Sequence, residues 1–383
     1  MKRALLLLLV VGCVDGVSVL GPTEGDVLQG GRLLSCGSGH SCVIAGGNLQ
    51  CWGGNGDYEL AQPESRPSTT PVGIGGEWTD VAAGYRYTCG ISDSVVHCWG
   101  SGADGRLGDG RTASSADVSP VALPAPAVQI AAHFDHSCVI TDDGALHCWG
   151  NNEEGQLTVA GSTSEPRPVA VAPELRFQTV GLGQGHTCAI QTTGALLCWG
   201  RNTTGQLGQG EGAPVRITTP SAVGTDTDWD ALAVGQDQAL AIRLDGTLWA
   251  FGLDGNDLEV GSLGLPGIGV YTTPVQVGDA DNWRLVATDT FHSCGIRGAG
   301  ELWCWGQNAD GQLALADREP RDLPTRVGTR DDWEAVAVSR FHTCALRRDG
   351  TVWCAGANWN GQLGQGDFEA RDELTPVLAA PID

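Results

Sequence analysis

The sequence predicts an all-β, seven-bladed propeller whose ring closure joins the N- and C-terminal strands. Three observations carry this expectation. One phrase returns seven times at a spacing of about fifty residues. The turn inside most copies ends in a glycine, where a tight hairpin needs one. The 57 glycines among 383 residues argue against a helical chain, because each interior Gly costs a helix about 1 kcal/mol relative to Ala.

The first element is an address. Met1-Lys2-Arg3 is a positive start, Ala4 to Val11 is an unbroken apolar run, and Gly12-Cys13 follows. This is a secretory signal pattern, shorter than the roughly 20 apolar residues that span a bilayer. The stretch Val10-Val11-Gly12-Cys13 resembles the lipobox of bacterial lipoproteins, which implies acylation of Cys13. Ordinary cleavage with an incidental Cys is the alternative. Residues 1–12 are thus read as the signal peptide, 13–30 as a tether and 31–383 as the propeller. With 45 acidic against 22 basic residues and a net charge of −23, the chain lacks the clustered cations that a nucleic-acid partner requires.

The repeat phrase pairs a His-Ser/Thr-Cys with a Cys-Trp-Gly. His40-Ser41-Cys42 precedes Cys51-Trp52-Gly53, and His186-Thr187-Cys188 precedes Cys198-Trp199-Gly200. The fifth copy is degenerate, with Gln238-Ala239-Leu240 and Ala250-Phe251-Gly252. In copies three to seven a three-residue loop joins the two halves, as in Asp142-Asp143-Gly144 or Arg348-Asp349-Gly350, and its third residue is always Gly. A type I turn with a G1 bulge puts that residue in the left-handed region. Copies one and two are one residue shorter, so Gly46-Gly47 and Asp93-Ser94 form two-residue turns.

Counting outward from either loop, the two Cys face each other at a non-hydrogen-bonded position, where Cα atoms are about 4.5 Å apart. Six disulfides follow: Cys42–Cys51, Cys89–Cys98, Cys138–Cys148, Cys188–Cys198, Cys294–Cys304 and Cys344–Cys354. In copy five both members are apolar together, Leu240 and Ala250, as paired positions should be. Zinc is the weaker reading, because one hairpin supplies only two ligands. Cys36 is left over as a small buried thiol. A Pro-Val pair in most copies, such as Pro71-Val72 or Pro376-Val377, marks a fourth strand.

These phrases, with Asn-x-x-Gly-Gln-Leu-Gly as in Asn358 to Gly364, resemble the regulator-of-chromosome-condensation repeat family, here in a secreted bacterial, Cys-rich form. The resemblance implies a seven-bladed propeller. It also implies two known roles: a nuclear exchange factor for a small GTPase, and secreted bacterial proteins that inhibit β-lactamases.

Candidate sites lie where the repeat varies. Five of the eight His (His40, His136, His186, His292 and His342) share one repeat position and read as structural hydrogen-bonding groups. Just before them sit variable loops, all expected on one end of the ring. From these we select Tyr85, Arg86, Phe134, Asp135, Phe291, Arg340 and Phe341 as partner-binding residues, since aromatic residues and Arg dominate binding hot spots. The competing reading is that they plug the central channel. No catalytic or metal-ligating constellation stands out, and no cofactor is expected. The sequence therefore points to a monomeric, lipid-anchored extracytoplasmic scaffold, not an enzyme, that holds a protein partner and meets the membrane only through its anchor. The alternatives are an inhibitor of a cell-wall or β-lactamase-type enzyme, a GTPase exchange factor, and a polysaccharide-acting enzyme.

Overall fold

The computed structural model describes residues 33–255 and 260–378. Seven four-stranded antiparallel sheets are each built from one continuous stretch of chain. Blade one has strands Leu34–Cys36, His40–Ala45, Asn48–Gly53 and Ser68–Ile74, numbered here from the centre outward. The expected signal peptide, tether and Cys13 lie outside the described residues.

The turns take the expected conformations except in blade six, where Gly298 has φ 57° and Gly300 129°. Gly46 and Gly47 have φ of 56° and 81°, and Asp93 and Ser94 adopt the same left-handed pair at 50° and 62°. In blade three Thr141 N–H donates to Ala145 O (3.0 Å) and Gly144 has φ 78°. All six disulfides form at the predicted register, each with Cα atoms 4.1 Å apart. Leu240 lies opposite Ala250 in blade five, at the register the Cys pairs occupy elsewhere.

The outer strands share an irregularity. Cys51 pairs with Val72 but Gly53 pairs with Ser68, so three residues oppose Trp52 alone. The same slip occurs at this step in every blade. Each outer strand also carries proline: Pro71, Pro120, Pro166 and Pro168, Pro220, Pro274, Pro324 and Pro376. Proline donates no ladder hydrogen bond, so it fits an edge strand or a bulge.

The core lies between blades, not within one. Trp52, Trp99, Trp149, Trp199 and Trp305 are fully buried. Trp78 and Trp283, which open inner strands, pack edge-on against Trp99 and Trp305, with centroids 5.7 Å and 5.8 Å apart. The expected closure needs correction, because the terminal strands Leu34–Cys36 and Arg371–Pro376 belong to different sheets. The ring closes by packing instead. Leu34, Cys36 and Trp52 of blade one share a core with Cys344, Leu346 and Leu363 of blade seven. Each blade already completes its own four strands, so no terminal strand is left to be shared, and the outer edges stay open.

Candidate protein-binding face

A ring of side chains ties the blades together and settles the role of the repeated His. His40 Nε2 lies 2.9 Å from Thr88 Oγ1, His136 Nε2 3.0 Å from Thr187, His292 Nε2 2.7 Å from Thr343 and His342 Nε2 2.7 Å from Ser41. In blade two Tyr87 fills the His position, and its hydroxyl meets Ser137 at 2.9 Å. Each of these hydroxyls also donates to a loop carbonyl of the preceding blade, and that carbonyl usually takes the Trp indole N–H as well. The Gln156 carbonyl accepts Thr187 Oγ1 (3.1 Å) and Trp199 Nε1 (2.8 Å). The seam between blades four and five lacks both donors, because Ala239 and Phe251 stand there, and both ring nitrogens of His186 are buried without partners.

Cys36, His342 and Cys344 cluster closely enough to suggest an ion site. Cys344 is in a disulfide, and the His342 ring is bonded on both sides by Ser41 and Ser339, so the group is already satisfied. Burial pushes the Cys36 thiol up to about 12, which keeps it unreactive.

Two loops per blade meet on the face opposite the hairpin turns. They are bonded to each other, as in Gln307 N–H to Phe291 O and Ala357 N–H to Phe341 O, both 2.9 Å. Tyr85 is 45% exposed and stacks on Phe134 at 6.2 Å. Arg86 Nε pairs with Asp57 at 2.7 Å, and Asp135 with the buried Arg106 at 2.8 Å. Arg86 has φ 65°, the conformation of Gly185 at the equivalent position in blade four. A non-glycine residue there carries backbone strain of about 1–2 kcal/mol. On the other side of the ring Phe291 and Phe341 lie 5.8 Å apart, with the exposed Arg340 guanidinium 4.8 Å and 5.4 Å from their ring centroids. The seven selected residues thus form two groups, on blades two and three and on blades six and seven.

Sequence reasoning missed three members of this face. Trp359 is 58% exposed and meets Phe341 edge-on at 5.3 Å. It follows Asn358 where other blades have Gly56, Glu153, Thr203 or Ala309, and that variation was its signal. His133 and Asp289 occupy an inner-loop position that is glycine in four blades (Gly37, Gly84, Gly183 and Gly235). His133 Nε2 and Asp289 Oδ1 lie 3.7 Å apart, although blades three and six are not neighbours. Burial pushes the Asp289 carboxyl up, but His133 and the Thr290 N–H and hydroxyl outweigh it and hold the carboxyl below its ordinary value. His133 also packs edge-on against Phe134 at 4.5 Å. The contact therefore joins the inner loops of blades three and six, which carry Phe134 and Phe291.

Residues 127–156, 177–206 and 333–362, and in a second description 143–190, 193–242 and 299–346, match the regulator of chromosome condensation (RCC1) repeat. No curated protein sequence matches the chain. Among solved structures, human WBSCR16 superposes with a TM-score of 0.75 at 21% identity, covering 86% of this chain and 93% of that one. Prp20p from Saccharomyces cerevisiae, described with its binding to Gsp1p and histones, gives 0.77 at 18% identity over 96% and 92%. The CRINKLY WD40 ectodomain of the Arabidopsis thaliana receptor kinase ACR4 gives 0.51 at 15% identity over 85% and 94%. Repeats and ring together make this chain an RCC1-repeat propeller.

Proposed function

We propose that the protein is a lipid-anchored, extracytoplasmic scaffold that captures a protein partner on its loop face and is not an enzyme. The observation that carries the reading is the asymmetry of that face. Its frame repeats from blade to blade, while aromatic residues stand two before the His position only in blades two and three (Tyr85, Phe134) and one before it only in blades six and seven (Phe291, Phe341), and Tyr85, Arg340 and Trp359 are exposed. Rigid blades hold these side chains in place, so little ordering entropy is lost on association. The cleft beside Phe291, lined by Gln236, Ser262, Thr290 and Gln307, offers about 40 Å³. That is room for a water or two rather than for a sugar ring.

The six disulfides are consistent with an oxidising compartment. The inner strand Leu34–Cys36 runs toward the loop face, so its first residue lies at the hairpin end. Inhibition of a cell-wall or β-lactamase-type enzyme is a special case of this reading, with one defined target.

An exchange-factor role is the second reading, supported by the likeness to Prp20p. Compartment separates the two. Fractionation of expressing cells, with thiol trapping before lysis, should place the protein in the envelope with its paired Cys unreactive and Cys36 the lone propeller thiol to react once unfolded. Reduced thiols in a cytosolic fraction would overturn the first reading and favour the second. Cross-linking on intact cells should then capture a partner through the loop face.

A further inference from the structure

Asparagine holds one position in five blades: Asn55, Asn152, Asn202, Asn308 and Asn358. Its Oδ1 accepts the backbone N–H of the loop leucine, at 2.9 Å from Leu60 and Leu157 and 3.0 Å from Leu363. Its amide NH2 donates the other way, from Asn55 to the Gln62 and Glu64 carbonyls, from Asn152 to Val159 and Ser162, and from Asn358 to Asp367. Each slot therefore has an acceptor side and a donor side.

Blade five places Asp254 in this slot. Its Oδ1 accepts the Leu263 N–H at 2.8 Å, as the asparagines do. Its Oδ2 takes the place of the amide nitrogen and is buried without a hydrogen-bond partner in a residue that is 0% exposed. A carboxylate has nothing to donate there, and a lone buried charge is strongly disfavoured. No cation relieves it among the described residues. The outer strand of blade six, Arg321–Arg326, brings Asp322, a like charge, while its Arg321 is held by Asp317 at 2.7 Å. The outer strand of blade five, Gly269–Gln276, brings the Tyr271 phenol.

We propose that Asp254 is a proton site: the folded ring holds this carboxyl protonated, with its O–H on the side of the slot from which the asparagine amides donate. Burial, with a smaller push from Asp322, raises the group from 3.8 to about 6, against the lowering effect of the Leu263 and Ser262 N–H groups. An acid whose folded value is raised contributes stability that is full below its unfolded value and lost as pH rises through the folded one. The loss runs from about pH 4 to about pH 6 and amounts to roughly a hundredfold in the folding equilibrium. It falls on the blade that has no disulfide and whose seam with blade four lacks its hydroxyl and indole donors. Leu253 and Gly255, on either side of Asp254, line the cleft beside Phe291, so the proton also bears on the binding face.

The test is Asp254→Asn in the full chain with disulfides intact, melted beside the native protein at about pH 5 and about pH 8. Comparing the two proteins at each pH cancels the contribution of every other titrating group. The stability of the variant relative to the native protein should rise by about tenfold in the folding equilibrium from the lower pH to the higher. An equal offset at both pH values would overturn the proposal. So would a variant less stable at the higher pH beside a native protein that added calcium chloride stabilises, which would put a cation in the slot. A second measurement needs no folded variant: infrared spectra of native protein labelled at aspartate carboxyls should show a buried protonated band at the lower pH that vanishes at the higher. Absence of that band would also overturn it.

Discussion

His342 of the last blade reaches Ser41 of the first, Nε2 to Oγ, at 2.7 Å. Ser41 gives its own proton to the Gln362 carbonyl at 3.0 Å, so the imidazole N–H is the donor and Ser339, 2.7 Å from Nδ1, supplies the other hydrogen bond. This contact closes a ring that no shared sheet closes. Ser41→Ala should cost about 1–2 kcal/mol, since it strands a buried donor, and a lowered denaturant midpoint with all disulfides intact would show it. Ala239→Ser at the equivalent place in blade five should do the opposite, giving His186 a partner and raising the midpoint. An unchanged midpoint in both would mean that hydrophobic packing alone holds the seams.

Acid should open the molecule. Burial pushes the five repeated imidazoles down from 6.5, His40 and His292 to about 4, and His136, His186 and His342 to about 3. A base depressed by folding contributes stability that is full above its unfolded value and lost as pH falls toward the folded one. Thermal melting followed by circular dichroism should therefore show stability falling steeply below about pH 6.5, with uptake of several protons on unfolding. Uptake of well under one proton would contradict the buried, neutral state of this ring.

Blade five should accept the staple that the other six blades carry. Leu240 and Ala250 are register partners at the place where the Cys pairs have Cα atoms 4.1 Å apart. Leu240→Cys with Ala250→Cys should oxidise spontaneously and add about 2–3 kcal/mol, less any packing lost with the leucine. The gain should appear as a higher melting temperature that reductant removes. A double variant that stays reduced under oxidising refolding would show that this hairpin departs from the others in solution.

The loop face should carry recognition. Trp359→Ala and Phe341→Ala should each weaken partner capture by at least tenfold, as for hot-spot aromatics. Leu244→Ala, at a hairpin turn on the opposite end and 72% exposed, should leave capture unchanged. Equal loss in all three would point to a general effect on folding, and loss only with Leu244→Ala would move the interface to the hairpin end. Asp289→Asn tests whether the link across the channel aligns the two aromatic groups. It should weaken capture while leaving the melting temperature within a few degrees of native.

The ring was legible because its determinants are local. Glycine at the third loop position, the spacing of Cys42 and Cys51, and the joint replacement by Leu240 and Ala250 are all read within about a dozen residues. The outer-strand slip opposite Trp52 was not legible, because the extra residues look like ordinary loop. The link between His133 and Asp289 joins two blades far apart in the chain, and only the folded ring brings them together. Trp359 sits at one of the two variable positions of the Asn-x-x-Gly-Gln-Leu-Gly phrase, which by itself reads as an ordinary turn.

The prolines of the outer strands bear on how a partner can attach. An exposed sheet edge invites an extended peptide to add itself as one more strand, joined by main-chain hydrogen bonds. Each of the seven rim strands interrupts that ladder with at least one residue that has no N–H to offer. Neighbouring copies crowded on one surface would likewise fail to zip edge to edge. Attachment to this molecule must instead be read through side chains, which makes it selective for a shaped surface rather than for any unfolded chain.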